Sequence, residues 1–129
     1  MRVLVADVPE MKGRLAEILD GHEPFFVHTF REAVEALKGG SWDVLVVGLH
    51  FDESQPFALL EHVQHSGATE LCVVLIRGLD RYSPVTGQGF QLAGQSFGCR
   101  AFIDFAQFAR SQAGNEQIRT LIESAAAAR

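Results

Sequence analysis

Residues 43–49 read Asp-Val-Leu-Val-Val-Gly-Leu, and this stretch decides the fold. Val44, Leu45, Val46 and Val47 leave no polar position on either side of an extended chain. A strand that is apolar on both faces is one covered by helices on both faces, the usual situation in a parallel sheet. The run stops at Gly48, followed by a polar loop through Asp52, Glu53, Ser54 and Gln55.

The same alternation of elements extends outward from this strand. Residues 2–6 form a short apolar run ending at Asp7, and Val8-Pro9 opens a helix with proline in its favoured first turn. Met11, Leu15, Ile18 and Leu19 recur at helical spacing up to Gly21. Residues 25–30, rich in aromatic and β-branched types, predict a second strand, with a helix carrying Ala33, Val34 and Leu37 after it. Phe57, Leu60 and Val63 mark a helix ending near Gly67, residues 71–76 a fourth buried strand, and residues 101–105 a fifth. Between the last two strands, residues 77–100 carry six glycines or prolines, Gly78, Pro84, Gly87, Gly89, Gly94 and Gly98, so an irregular fourth helix region is expected. A final helix is predicted from Asn115, as its cap, through the terminal alanines, with residues 106–114 as connector. Strands and helices alternating at this length imply a parallel sheet with right-handed crossovers, its ligand site at the carboxyl ends of the strands. Those ends are Asp7, Gly48, Ile76 or Arg77, and Phe105.

Composition narrows the function. At 129 residues the chain is sized for one domain, residues 1–129, and 47% hydrophobic against 21% charged residues argues against disorder. A net charge of −5 with scattered Lys and Arg argues against a nucleic-acid surface. The first residues fit neither a secretion signal nor a membrane span, so no membrane partner and a cytoplasmic location are expected. Cys72 and Cys99 are too few and too far apart for a zinc knuckle or a disulfide framework, and read as buried inert thiols.

Three pieces, VLVADVPEMKGRLAEILDGH, FREAVEALKGGSWDVLVVGLHF and PFALLEHVQ, in this order and spacing resemble the receiver domains of two-component response regulators. The resemblance implies an α/β, flavodoxin-like fold, a five-stranded parallel sheet of order 2-1-3-4-5 with helices on both faces. Receivers carry a pair of acids after the first strand that hold Mg²⁺, and here the pair is reduced to Asp7 followed by Val8. The phosphoacceptor aspartate that ends the third strand aligns with Gly48. The Ser or Thr at the end of the fourth strand falls on Ile76, and the lysine near the end of the fifth on Phe105. Mg²⁺ takes oxygen ligands, and a lone Asp7 facing Gly, Ile and Phe supplies too few. Losing the hydroxyl and the lysine removes the groups that would stabilise a transferring phosphoryl group. No metal, no cofactor and no enzymatic activity are therefore expected.

Two other acids compete for the acceptor role. Asp43 opens the third strand and belongs at its far end, whereas Asp52 follows the strand and, with Asp7, would make a remnant acidic pocket with weak cation binding. His62 and His65 share a helix face at i, i+3 without an evident third ligand, and all five histidines read as surface residues. Gly87, Gly89 and Gly94 suggest a mobile segment and lack the lysine of a phosphate-cradling loop. Phe90, Phe97, Phe102, Phe105 and Phe108 cluster late in the chain, flanked by Arg77, Arg81, Arg100 and Arg110. Part of that cluster belongs to the core, and the rest predicts an exposed aromatic interface with a polar rim.

The sequence thus points to a receiver-like chain that cannot be phosphorylated by the usual route. Its expected role is a protein–protein interaction or dimerisation module in bacterial signalling, using the face of the fourth helix, fifth strand and fifth helix. The alternative is a small-ligand sensor that uses the vacated acidic pocket as an apolar site.

Overall fold

The computed structural model describes residues 1–68, 70–78 and 84–128, with the side chains of residues 54, 84–88 and 90 outside that description. The strands are β1 (Arg2–Ala6), β2 (Glu23–Val27), β3 (Val44–Gly48), β4 (Cys72–Arg77) and β5 (Ala101–Asp104). They form one parallel sheet of order β2-β1-β3-β4-β5. The helices are α1 (Lys12–Ile18), α2 (Phe30–Gly39), a single irregular turn α3 (Phe51–Ser54), α4 (Pro56–His65), α5 (Pro84–Ser96) and α6 (Gln112–Ala127). Short 3-10 turns at Pro9–Met11 and Phe105–Gln107 precede α1 and follow β5. This is the flavodoxin-like α/β architecture that the sequence predicts.

Strand alternation divides the core. Val3, Val5, Val44, Val46, Val74 and Ile76 pack under α1 and α6 with Leu15, Ile18, Ile118 and Ile122. Leu4, Ala6, Leu45, Val47, Val73 and Leu75 pack on the opposite face with Ala33 of α2 and Leu59, Leu60 and Val63 of α4. Each fully buried aliphatic side chain contributes about 1.5–3 kcal/mol of transfer free energy. The continuous apolar strands are thus the main source of cohesion.

Several boundaries differ from the sequence expectation; β4, for one, runs one residue later, at Cys72–Arg77. β2 ends at Val27 because Thr29 starts a helix: its Oγ1 accepts from Glu32 N at 3.2 Å, while Glu32 Oε1 accepts from Thr29 N at 3.1 Å. This reciprocal cap removes two otherwise unsatisfied donors. The fourth helix region is a continuous thirteen-residue helix, α5, rather than an irregular segment. At Gly94 the missing side chain lets α5 approach β4, since a Cβ there would lie 3.1 Å from Leu75 Cδ2. The helix stops only at Gly98, whose φ of +79° is left-handed, with Cys99 N donating back to Gly94 O at 3.0 Å. β5 ends at Asp104, which caps the following turn by accepting from Ala106 N at 3.0 Å. Finally, α6 starts three residues before Asn115, with Ser111 as its cap accepting from Gly114 N at 3.2 Å. Gly114 sits inside the helix because any side chain there would overlap the Ala109 carbonyl.

Candidate functional site

β1 and β3 lie side by side in register, Ala6 against Val47, and they deliver Asp7 and Gly48 to adjacent points at the carboxyl edge of the sheet. Asp7 is 4% exposed. Its Oδ1 accepts from Val8 N at 2.8 Å, and its Oδ2 has no hydrogen-bond partner among the described residues. Burial pushes the carboxyl up to about 6; Glu10 adds to this, while the Val8 N–H and His28 oppose it. The Asp7 carboxyl fills the space a side chain at Gly48 would need, so a Cβ on that residue would overlap it. Either Asp7 holds this position or residue 48 carries a side chain.

Ile76 is the register partner of Gly48 in β4, fully buried, and its carbonyl accepts from Leu49 N at 3.0 Å. Phe105 is buried in the same core, and the Arg14 guanidinium lies 5.0 Å over its ring. The structure thus gathers Asp7, Gly48, Ile76 and Phe105 on the α1 side of the carboxyl edge, where one carboxyl faces apolar groups.

Asp52 is placed differently. Its Oδ2 accepts from Phe30 N at 2.9 Å, so its charge serves the first turn of α2. Asp52 and Glu53 both have left-handed backbone, φ +46° and +60°, which costs a non-glycine residue about 1–2 kcal/mol. The hydrogen bond to α2 offsets part of that cost. Asp43 lies at the opposite end of β3, as the sequence predicts, and accepts from Arg2 N at 2.8 Å. Among the described residues no group of three or more His, Cys, Asp or Glu could hold a metal ion.

Sequence reasoning missed a second acidic feature on this edge. Arg77 and Asp104 are cross-strand neighbours, and Arg77 Nη1 donates to Asp104 Oδ2 at 3.3 Å. Arg77 is 3% exposed, so it is a buried partner of an acid rather than part of a polar rim. The alternation that turns Leu75 and Phe102 to the α4 and α5 side turns this pair there too. Two basic-acidic positions ending neighbouring strands were the available signal, but it becomes readable only once the register is known.

The aromatic interface also needs correction. Phe97 and Phe102 pack against the core under α4, with Phe97 stacked on Phe57 at 5.5 Å, whereas Phe105 and Phe108 pack against the core under α1 and α6. These four rings lie on opposite faces of the sheet and do not form one exposed patch, because strand alternation already turns Phe105 away from Phe102 and the 3-10 turn that follows brings Phe108 to the Phe105 side. Arg100 is exposed and donates to the Ala128 carbonyl at 2.6 Å, and Arg110 is exposed. Arg81 and the Phe90 side chain lie outside the described residues. Among the described residues, the exposed large apolar side chains are Phe25, Leu121 and, at 66% exposure, Leu92 on α5.

The thiols and histidines have structural surroundings. Cys72 is buried, and burial pushes the Cys99 thiol up to about 12. His22 bonds Glu123 at 2.8 Å, His28 bonds the Asp7 carbonyl at 3.0 Å, and the His62 ring meets Phe30 edge-on. His50 is buried rather than a surface residue.

Comparison with known proteins places this geometry. No family model matches the sequence, and no curated protein matches it. Solved structures do. A Francisella response-regulator receiver domain superposes with a TM-score of 0.74 over 98% of this chain and 96% of that one, at 16% identity. The chain has the receiver fold. The response regulator TrrA from Thermotoga maritima, solved with Mg²⁺ and BeF, superposes with a TM-score of 0.70 at 12% identity, covering 96% of each chain. A sensor protein from Polaromonas sp. JS666 gives 0.72 at 14% identity, over 98% of this chain and 95% of that one. In the receiver fold, the carboxyl edge that carries Asp7 and Gly48 is where the sequence resemblance puts the phosphorylation site.

Proposed function

We propose that this chain is a pseudo-receiver, a phosphorylation-independent protein–protein interaction module of bacterial two-component signalling with no catalytic activity of its own. The observation that carries this reading is the Asp7 carboxyl standing in the space of a Gly48 side chain. Receiver chemistry needs a nucleophilic carboxylate there, a cation held by neighbouring acids, and a hydroxyl and a lysine around the phosphoryl oxygens. This edge offers Gly48, Ile76 and Phe105 at three of those positions, and the remaining acid is buried.

With no chemical switch, the binding surface is constitutive. The face made by α5, β5 and α6 presents Leu92 and Leu121, and its partner is another protein or a second copy of this chain. The rival reading, a ligand pocket at the vacated site, requires open space at Gly48. The Asp7 carboxyl occupies that space, and two grooves of about 750 and 790 Å³ formed by described residues are lined by neither residue. Among the described residues no helix is long and apolar enough to cross a membrane.

Light scattering behind size exclusion, with and without Mg²⁺ and a phosphoryl donor, tests the proposal. The same mass is expected under both conditions, alone or with a candidate partner. A mass that changes with the donor would refute a phosphate-independent module.

A further inference from the structure

Between the buried Phe51 and the buried Pro56 that opens α4, the chain turns through a conformation that L-residues avoid. Asp52 and Glu53 are consecutive and both left-handed, at φ +46°, ψ +69° and φ +60°, ψ +39°. One such residue is common in a turn, but a pair carries the steric cost twice. Pro56 fixes the far end, because it has no N–H with which to join the turn to α4, and Gln55 before it is held outside the helical region at φ −119°, ψ +52°. Gln55 N donates to Phe51 O at 2.8 Å and closes the turn on itself.

A bond to another element holds this geometry. Thr29 serves the Glu32 and Ala33 N–H groups of α2 at 3.2 and 3.0 Å and leaves that of Phe30 unserved. Asp52 Oδ2 accepts from it at 2.9 Å, so a carboxylate from a strained turn completes the cap of a ten-residue helix at its positive end. The Phe30 ring in turn meets His62 of α4 edge-on at 5.9 Å, which ties the same residue to the neighbouring helix. Glu53 is exposed and its side chain has no partner among the described residues, so no side-chain bond offsets its strain. Backbone strain thus opposes the geometry that the Asp52 bond requires, and a segment under two such opposed forces has two arrangements.

We propose that the Phe51–Ser54 turn is a strained clasp: closed while the Asp52 carboxylate holds the first turn of α2, and relaxing to right-handed backbone when that bond breaks. The charge on Asp52 then controls how firmly α2 is seated, and a group that neutralises it opens the clasp. The device links the loop after β3 to α2 and, through Phe30, to α4, and it does not depend on the proposed interaction role.

The test is amide hydrogen exchange of the full chain followed by NMR, with the Phe30 rate read against that of Val46 in β3 of the same sample. Val46 lies in the core and reports global opening, so the ratio isolates the clasp. Glu53→Gly, at an exposed position, lifts the steric cost without touching the bond and is expected to slow Phe30 exchange about tenfold. Asp52→Asn, which keeps an acceptor and removes the charge, should speed it, and Asp52→Ala should speed it about tenfold or more. A Phe30 rate unchanged or raised by Glu53→Gly would show that the turn stores no strain and would overturn the proposal. So would a rate that neither Asp52 variant raises, since the carboxylate would then not be what holds α2.

Discussion

The two halves of the carboxyl edge solve the same electrostatic problem in opposite ways. At the ends of β1 and β3, Asp7 is buried with one backbone N–H on Oδ1 and, among the described residues, no partner on Oδ2. At the ends of β4 and β5, Asp104 is held by the buried Arg77 guanidinium. A buried acid without a cation shifts toward its neutral form, whereas the half-buried Asp104 carboxylate bonds a guanidinium and ties two strands together. The two halves of the edge thus need no shared ion: one side is filled by an acid that can take up a proton, the other is closed by an ion pair.

The largest effect expected is from Gly48→Asp, the substitution that would nominally restore the acceptor. It forces a side chain into the Asp7 carboxyl and sets two acids in one buried space, so a loss of about 4 kcal/mol and no phosphorylation are expected. Denaturant unfolding measures the first, and a double-mutant cycle of Gly48→Ala with Asp7→Gly sharpens it. Most of the cost of the alanine should disappear when the carboxyl is removed. Additive costs would mean that the two residues do not compete for space.

On the other side, Asp104→Ala leaves the Arg77 charge without this partner and is expected to cost about 2–3 kcal/mol, seen as a lower urea midpoint at unchanged slope. A change below about 0.5 kcal/mol would erase the contrast between the two halves.

The next effect is pH-dependent. The folded-state value of Asp7 is raised, from 3.8 to about 6, so the native state binds its proton more tightly than the unfolded chain does. Stability from this group is fully present below about pH 4, falls as pH rises through 6, and is absent above it. Asp7→Asn, which removes the charge at nearly constant shape, should flatten that slope and raise stability at pH 8 by about 2 kcal/mol. Stability curves across pH 4–8 for both proteins measure it, and an unchanged slope would show that Asp7 is not the titrating group. Smallest is Thr29→Ala, which removes the α2 cap for about 1 kcal/mol.

The sheet was legible because its strands carry apolar residues on both faces, and Val44 to Val47 alone dictate a covered parallel strand. α5 was not, because glycine reads as a breaker in a sequence whether it breaks a helix or, as at Gly94, lets one pack closely. The Thr29 and Glu32 cap was present as a three-residue spacing but hidden by the aromatic run before it. At the site, the absence of a carboxylate at Gly48 was visible in the sequence. That Asp7 fills the space, that Asp52 turns to α2 and that Arg77 meets Asp104 depend on register and side-chain direction, which residue types alone do not specify.

The most direct measurement is intact mass after incubation with acetyl phosphate and Mg²⁺, for the unaltered chain. An unchanged mass is the predicted result, since Gly48, where the resemblance puts the acceptor, has no side chain and the space beside it is filled. A stable gain of one phosphoryl group would contradict the account, and peptide mapping of that group would name the acid that accepts it.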